Sequence, residues 1–468
     1  MQMFKKTYKQ FSIAAFVLWS LLAHNLNANT FTVTTTNVAG PGSLAAAILQ
    51  ANQTPGSNII NITVTNQIIQ TIILPIITNS VSIIGTANTA AIISGGGTQP
   101  IFSYAAGTTN SIFNLVIRDG YQANAGPAAG AAIKNSGTLF VNFCVLTNNQ
   151  APNGFGGAIN NSGTMFISSS VIAGNKAEFG GGIYNSGTLT VCQSTFQANG
   201  CVGQNGGDGG SASVSTGGGG GGGGGLGGAL FIFSGNVSIT NSSFITNTVQ
   251  GGKGGNGGSY INYGSGNIGG DGGGYNAGNG GGAALGNGSA GGAGGFGGGG
   301  GGGGGGYSGN SGLIWLNGYG GSAGTGGFGG GGGGGGGWDQ DGFFGDGGFG
   351  GGGGGGYGGG IFIFSGTLSL INSTIACNSC FKGSGGIHPQ VFGGFSFMAQ
   401  DGQGFGGGIY NYGGSVVLLN TIVAGNIATT SSPDLLGSFN SLGNNLIGNN
   451  EGASGLSLLD FHNHPISR

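Results

Sequence analysis

Gly156-Gly-Ala-Ile-Asn-Asn-Ser-Gly-Thr-Met-Phe-Ile-Ser-Ser-Ser-Val-Ile-Ala-Gly-Asn175 decides the fold, because the chain repeats it. The opening unit of two glycines, a small residue and an aliphatic returns as Gly180-Gly-Gly-Ile183, Gly227-Gly-Ala-Leu230, Gly358-Gly-Gly-Ile361 and Gly406-Gly-Gly-Ile409. Gly137–Asn149 and Gly163–Asn175 are successive copies of the second half. They start roughly 25 residues apart, a period that marks stacked repeats. Within a copy, Thr188-Leu-Thr-Val191 alternates polar with apolar, as a strand with one buried face does. Asn-Ser-Gly before such strands, as at Asn185 to Gly187, supplies turn residues.

After each strand an apolar residue is followed at the third place by asparagine, giving Asn149, Asn175, Asn199, Asn247, Asn378 and Asn426. Stacking sets like above like. Ile159, Ile183, Leu230, Ile361 and Ile409 then form one internal column, and the asparagine amides bond along a ladder. No single coil buries its own apolar face, so the coils share one elongated core. The expected fold is all-β, a right-handed parallel β-helix. Residues 29–110 form its cap and first coils, 111–456 the repeats and 457–468 a tail, the last coil ending near Leu446-Ile447. Leu44 to Ala51, with Ser43 as N-cap, reads as a short helix covering the open end. Strands follow over 59–64, 70–73, 81–84 and 91–94.

Lys5, Lys6 and Lys9 precede an apolar run from Phe11 to Ala23, and Ala28 ends a cleavage site, so residues 1–28 read as an export signal. That run is too short to span a bilayer, and the mature chain has no other transmembrane segment. Without those lysines the chain is mildly acidic, and no basic patch follows Lys9, which excludes nucleic acid as a partner. Gly makes up 122 of 468 residues, but not at every third place with abundant proline, so the chain is not collagen-like. An exported protein permits disulfides; Cys192 with Cys201 and Cys377 with Cys380 are the nearest pairs, and Cys144 leaves the count odd.

The glycine, aliphatic and asparagine spacing resembles the repeats of chlamydial polymorphic outer membrane proteins and a wider group of bacterial surface and secreted β-helix proteins. Phe31-Thr-Val-Thr, Gly40-Pro-Gly-Ser-Leu44, Ile93-Ser-Gly-Gly-Gly97 and Asn420-Thr-Ile-Val-Ala-Gly-Asn426 carry the same resemblance. It covers residues 30 to 456 and implies an exported protein at the outer membrane, on the cell surface or in the medium. An adhesin-like passenger of that kind contacts a host or cell-surface protein or a glycan. Many relatives continue into a β-barrel. After Asn450 this chain reaches Arg468 without a barrel's alternating strands, so the expectation is secretion, retention by a partner or a truncated frame.

Glycine-rich insertions occupy 200–225, 249–357 and 379–405, each between an asparagine and the next Gly-Gly unit, so all three project from one corner. Glycine punctuated by aromatics makes a flexible, adhesive loop, or packs as polyproline-II-type helices, or records expansion of a tolerated loop. Tyr307, Trp315, Trp338, Phe343 and Phe344 are the candidate binding residues, and self-association through these loops is the alternative function. Polysaccharide lyases and glycosidases also use β-helices, but their chemistry needs clustered carboxylates. Arg118 and Asp119, adjacent on a strand, would face opposite ways, and Asp119-Gly120 reads more simply as a turn; Lys176 and Glu178 belong to an exposed corner, so no catalytic residue is assigned. No cofactor or metal is assigned either: Asp339, Asp341 and Asp346 match no calcium motif, and His462 and His464 lie in the tail.

Overall fold

The computed structural model describes residues 28–86, 90–123, 130–211, 216–259, 268–282, 284–285, 288–307, 309–310, 315–316, 319–336, 349–388 and 397–462. The stretch read as an export signal, apart from Ala28, therefore lies outside the described residues. Strands of consecutive coils lie directly above one another. Two parallel sheets of 11 strands and a third of nine follow sequence order from one end of the stack to the other, the third in reverse listing from the C-terminal end. This is a parallel β-helix. No helix among the described residues is long and apolar enough to cross a membrane.

Register follows the alternation of the sequence. Leu139, Met165, Leu189, Val237, Leu368 and Val416 stack in one column and point inward, all of them buried. Ile159, Ile183, Leu230, Ile361 and Ile409 pair in register along another sheet and are fully buried. The helix α1 (Leu44–Gln53) covers the first coil. Its N-cap Ser43 accepts a hydrogen bond from the Ala46 amide, and Leu44, Ala47, Ile48 and Ala51 face the core. The strands at Val81–Ile84 and Ala91–Ser94 lie where the alternation puts them. The strand expected over 70–73 lies instead at Ile68–Ile69, and Ile72 and Ile73 are exposed.

The corners are held by side chains. Each ladder asparagine donates its amide to the carbonyl oxygen of the next: Asn149 to Asn175, Asn175 to Asn199, Asn199 to Asn247, Asn247 to Asn378 and Asn378 to Asn426, at 2.8–2.9 Å. The same oxygens accept the backbone N–H of the asparagine one coil earlier, so each buried corner is fully bonded. Asp434 ends the ladder by accepting from Asn426 at 2.7 Å. Asn135, Asn161 and Asn185, read from sequence as turn residues, form a second ladder at 2.8 and 2.7 Å. A third column, Ser170, Ser194, Ser242 and Ser373, offers each hydroxyl oxygen to the preceding coil's backbone N–H.

Two sequence boundaries shift. The stack does not end at Ile447, because Leu446 and Ile447 pair with Phe461 and His462, and the Asp460 carboxylate accepts from Asn445. The described part of the expected tail, 457–462, belongs to a further coil. The insertions are also shorter than their compositional limits. Gly200–Val202, Thr248–Gln250 and Ser379–Phe381 stack on one another as coil strands before the glycine segments begin.

Replacing Asn175 by Ala removes the acceptor of two buried bonds from Asn149 and the donor to Leu146 and Asn199. Stranding those groups costs about 3 kcal/mol. Urea denaturation should show that loss for Asn175→Ala, while exposed Ser162→Ala stays within about 0.5 kcal/mol.

Candidate functional site

A glycine chain has no side chains to bury, so its packing must come from backbone hydrogen bonds alone. An extended chain with three residues per turn makes none internally. The insertions satisfy both conditions by lying side by side. Among the described residues they form the rods 203–210, 217–225, 251–258, 269–274, 276–282, 288–295, 297–305, 319–327, 329–336, 349–356, 382–388 and 398–404, each bonded to its neighbours at every third residue.

Rod 217–225 shows the rule in full. Gly217, Gly220 and Gly223 donate to rod 203–210; Gly218, Gly221 and Gly224 to rod 297–305; Gly219, Gly222 and Gly225 to rod 349–356, all at 2.7–3.0 Å. Its carbonyls accept from rods 251–258, 269–274 and 329–336. Six neighbours surround one rod, a hexagonal lattice of polyproline-II-type helices. Rod 297–305 likewise touches six. A β-carbon has no room there: at Gly221 it would sit 1.9 Å from the Gly331 oxygen, and at Gly220 2.0 Å from that of Asp271. At the rise of about 3.1 Å per residue, nine residues carry the lattice about 28 Å away from the β-helix. The insertions are thus an ordered body, one of the alternatives the composition left open.

The sequence signal is a local period of three. In Gly251-Gly-Lys-Gly-Gly-Asn-Gly-Gly258, two glycines pack inward and the third residue faces out. That third side chain often supplies the bond that a further rod would have made. The side-chain oxygens of Asn205 and Asp208 accept from the Lys253 and Asn256 backbone N–H groups at 2.9 and 2.6 Å, and the Asn256 side-chain oxygen accepts from the Ile387 N–H at 3.0 Å.

Where the rods turn beside the β-helix, aromatic rings fill the seam. Tyr275, Phe296 and Phe328 stand at three such turns, and Gly297 and Gly329 follow with φ of +76° and +81°. They meet the outward column of one β-helix sheet, Tyr184, Phe231, Phe362 and Tyr410. Phe155–Tyr275 centroids are 5.1 Å apart, Phe296–Phe364 4.9 Å and Phe328–Tyr412 4.6 Å. Of the aromatics proposed from sequence to bind a ligand, Trp338, Phe343 and Phe344 lie outside the described residues. Tyr307 and Trp315 are described in backbone only, within short strands at Gly306–Tyr307 and Trp315–Leu316.

Glu178 corrects the expectation of an exposed corner. Lys176 is exposed, but Glu178 is fully buried in the seam. Its carboxylate accepts from the Tyr275 amide at 2.8 Å and from the Gln204 side chain at 3.4 Å, and among the described residues no cation pairs with it. Burial pushes its pKa up to about 7, those two bonds opposing. Sequence gave no hint, because the covering turn lies 97 residues downstream.

The other candidates disperse. The chain turns at Asp119, as Asp119-Gly120 reads, with φ of +53°, and this brings Arg118 and Asp119 into an ion pair at 3.3 Å. Asp119 also accepts from Asn148 and Ser94, and among the described residues it is the sole carboxylate lining a groove of about 500 Å³ with Gln67, Tyr121 and Gln150. All five cysteines are free; Cys201 and Cys380 flank Val249 as core residues, and burial pushes the Cys144 thiol up to about 12. Asp339, Asp341, Asp346 and His464 lie outside the described residues, and no three metal-ligating side chains cluster among the described ones.

Comparison with protein-family models, curated proteins and solved structures returns no match.

Two outcomes test the lattice and its seam. Gly221→Ala should unfold the bundle or cost more than about 3 kcal/mol, whereas Gly332→Ala, where a β-carbon meets nothing within 3.6 Å, should change stability by under about 0.5 kcal/mol. Amide exchange of the glycine rods distinguishes the two. Glu178 keeps its proton in the folded chain up to about pH 7, whereas the unfolded chain loses it near the ordinary value. Its effect on stability is therefore most favourable below the unfolded value and is lost as pH rises through about 7, by on the order of 3 kcal/mol. Denaturation midpoints taken on either side of that window should converge for Glu178→Gln and diverge for the parent.

Proposed function

We infer that this is a non-enzymatic exported protein whose β-helix carries a glycine lattice to display contact segments, in the manner of an adhesin. The supporting observation is geometric. Bonds such as Gly217 to Gly210, Gly258 to Gly217, Gly336 to Gly321 and Gly288 to Tyr319 gather the rod ends remote from the aromatic seam at one end of the bundle. The segments joining rods at that end, among them 308–318 and 337–348, carry Trp315, Trp338, Phe343 and Phe344 in sequence. The rods themselves leave few reactive groups, with charged residues only 4% of the chain. A rigid platform lowers the ordering cost of binding through short aromatic segments. The partner class is a host or cell-surface protein or a glycan, and the location is the cell surface or the medium.

Protease shaving of intact producing cells checks the location. Loss of a cell-bound band, or a band in the medium, agrees with display, and a protected band sinks it. Replacing 308–318 and 337–348 with short Gly-Asn turns should then abolish adhesion of purified protein to target cells while the melting temperature stays unchanged. Retained adhesion would rule those segments out as the contacts.

A further inference from the structure

The outward rods are of two kinds. Most carry a side chain on the row that faces solvent, such as Asp208, Lys253, Asn279, Ala293 and Thr325. Those side chains end the lattice, as charged residues blunt a sheet edge. Rod 329–336 also lies at the surface, yet it is glycine throughout.

Its bonding is incomplete. It donates from Gly331 and Gly334 to rod 217–225 and from Gly330, Gly333 and Gly336 to rod 319–327, and it accepts from rods 297–305 and 349–356. That is four neighbours where the interior rods have six. Among the described residues, the N–H groups of Gly332 and Gly335 and the carbonyls of Gly330, Gly333 and Gly353 have no partner. Packing does not demand glycine here. A β-carbon would meet nothing closer than 3.7 Å at Gly332, 3.6 Å at Gly335 and 3.4 Å at Gly352.

The space beside the rod is shaped. Rods 329–336 and 349–356 floor it, and rod 398–404 walls it, held by the Gly353 amide bonding the Gln400 carbonyl at 2.9 Å. Tyr357 closes the end near the β-helix, its ring 3.3 Å from where a Gly329 β-carbon would stand and its hydroxyl 2.5 Å from that of Gly355. Phe349, 54% exposed, stands at the other end, stacked on His388 at 4.8 Å. Glycine at positions free to carry side chains keeps backbone donors and acceptors approachable. The lattice on either side fixes what would meet them.

We propose that this slot binds an extended glycine-rich segment of a partner protein, which enters as one more polyproline-II rod between Tyr357 and Phe349. Only glycine at the inward positions lets another backbone approach, as it does throughout the lattice. About two turns, or six residues, fit. The guest accepts from the Gly332 and Gly335 amides and donates to the Gly353 carbonyl, while the two rings contact it as aromatic residues flank polyproline-II ligands elsewhere. This holds independently of what the remote ends of the rods contact.

The test uses the full chain and a nonapeptide of three Gly-Gly-Asn triplets, with three Ala-Ala-Asn triplets as control, titrated by calorimetry. Saturable binding of the glycine peptide alone is expected, weakened about tenfold or more in Gly332→Val and Gly335→Val. On the unsubstituted chain the peptide should slow exchange of the Gly332 and Gly335 amides, a readout that survives if the variants misfold. Absence of saturable binding, equal binding of the alanine peptide, or unchanged exchange at those amides would overturn the proposal. Self-association that blocks the peptide and disappears in the two variants would also overturn it, assigning the slot to a second copy.

Discussion

Apart from the helix α1, the described parts of this molecule depend on lateral backbone hydrogen bonding. Neither a β-strand nor a polyproline-II rod satisfies its own amides, so each must lie beside another chain segment. The β-helix meets this by stacking coils in four sheets. The glycine segments meet it in three directions at once, because three residues per turn present three rows of donors. One constraint thus produces two lattices from a single chain. They differ in what fills the spaces: aliphatic columns in the first, nothing but backbone in the second.

The two lattices share a register. Asn199 bonds Asn247 across 48 residues, and Asn247 bonds Asn378 across 131. Out on the rods the same separations recur: Asn205 with Lys253 across 48, and Asn256 with Ile387 across 131. The first rod of each insertion therefore continues the stacking order of the coil it leaves. The insertions are extensions of the repeat rather than loops hung on it.

This explains which features the sequence disclosed. The β-helix was legible because its repeats are local and put apolar residues at fixed offsets; the column from Ile159 to Ile409 and the asparagine ladder follow from alignment alone. Asn135 and Ser170 were harder, since their types are equally common in turns and only the stack turns them into ladders. The rods were written as Gly-Gly-x triplets, but long runs such as Gly329 to Gly336 erase the period where all three faces are occupied or open. Burial of Glu178 was not legible at all, because it is made by contact with a distant turn rather than by its own repeat.

The aromatic seam follows from the weakness of a lattice without side chains. Fixing a residue's backbone costs about 1–2 kcal/mol, most for glycine. A typical hydrogen bond contributes only about 0.5–1.5 kcal/mol net. Rods bonded solely through their amides therefore stand near balance, with no apolar interior to tip it. Tyr275, Phe296 and Phe328 provide that interior at turns that abut the β-helix, packing on Phe231, Phe362 and their neighbours. The stability of the bundle is accordingly coupled to the stacking of the coils, which align the first and last rods of each insertion and build the aromatic column against which the middle rods turn. Substitutions in that column should thus loosen rods that they never touch.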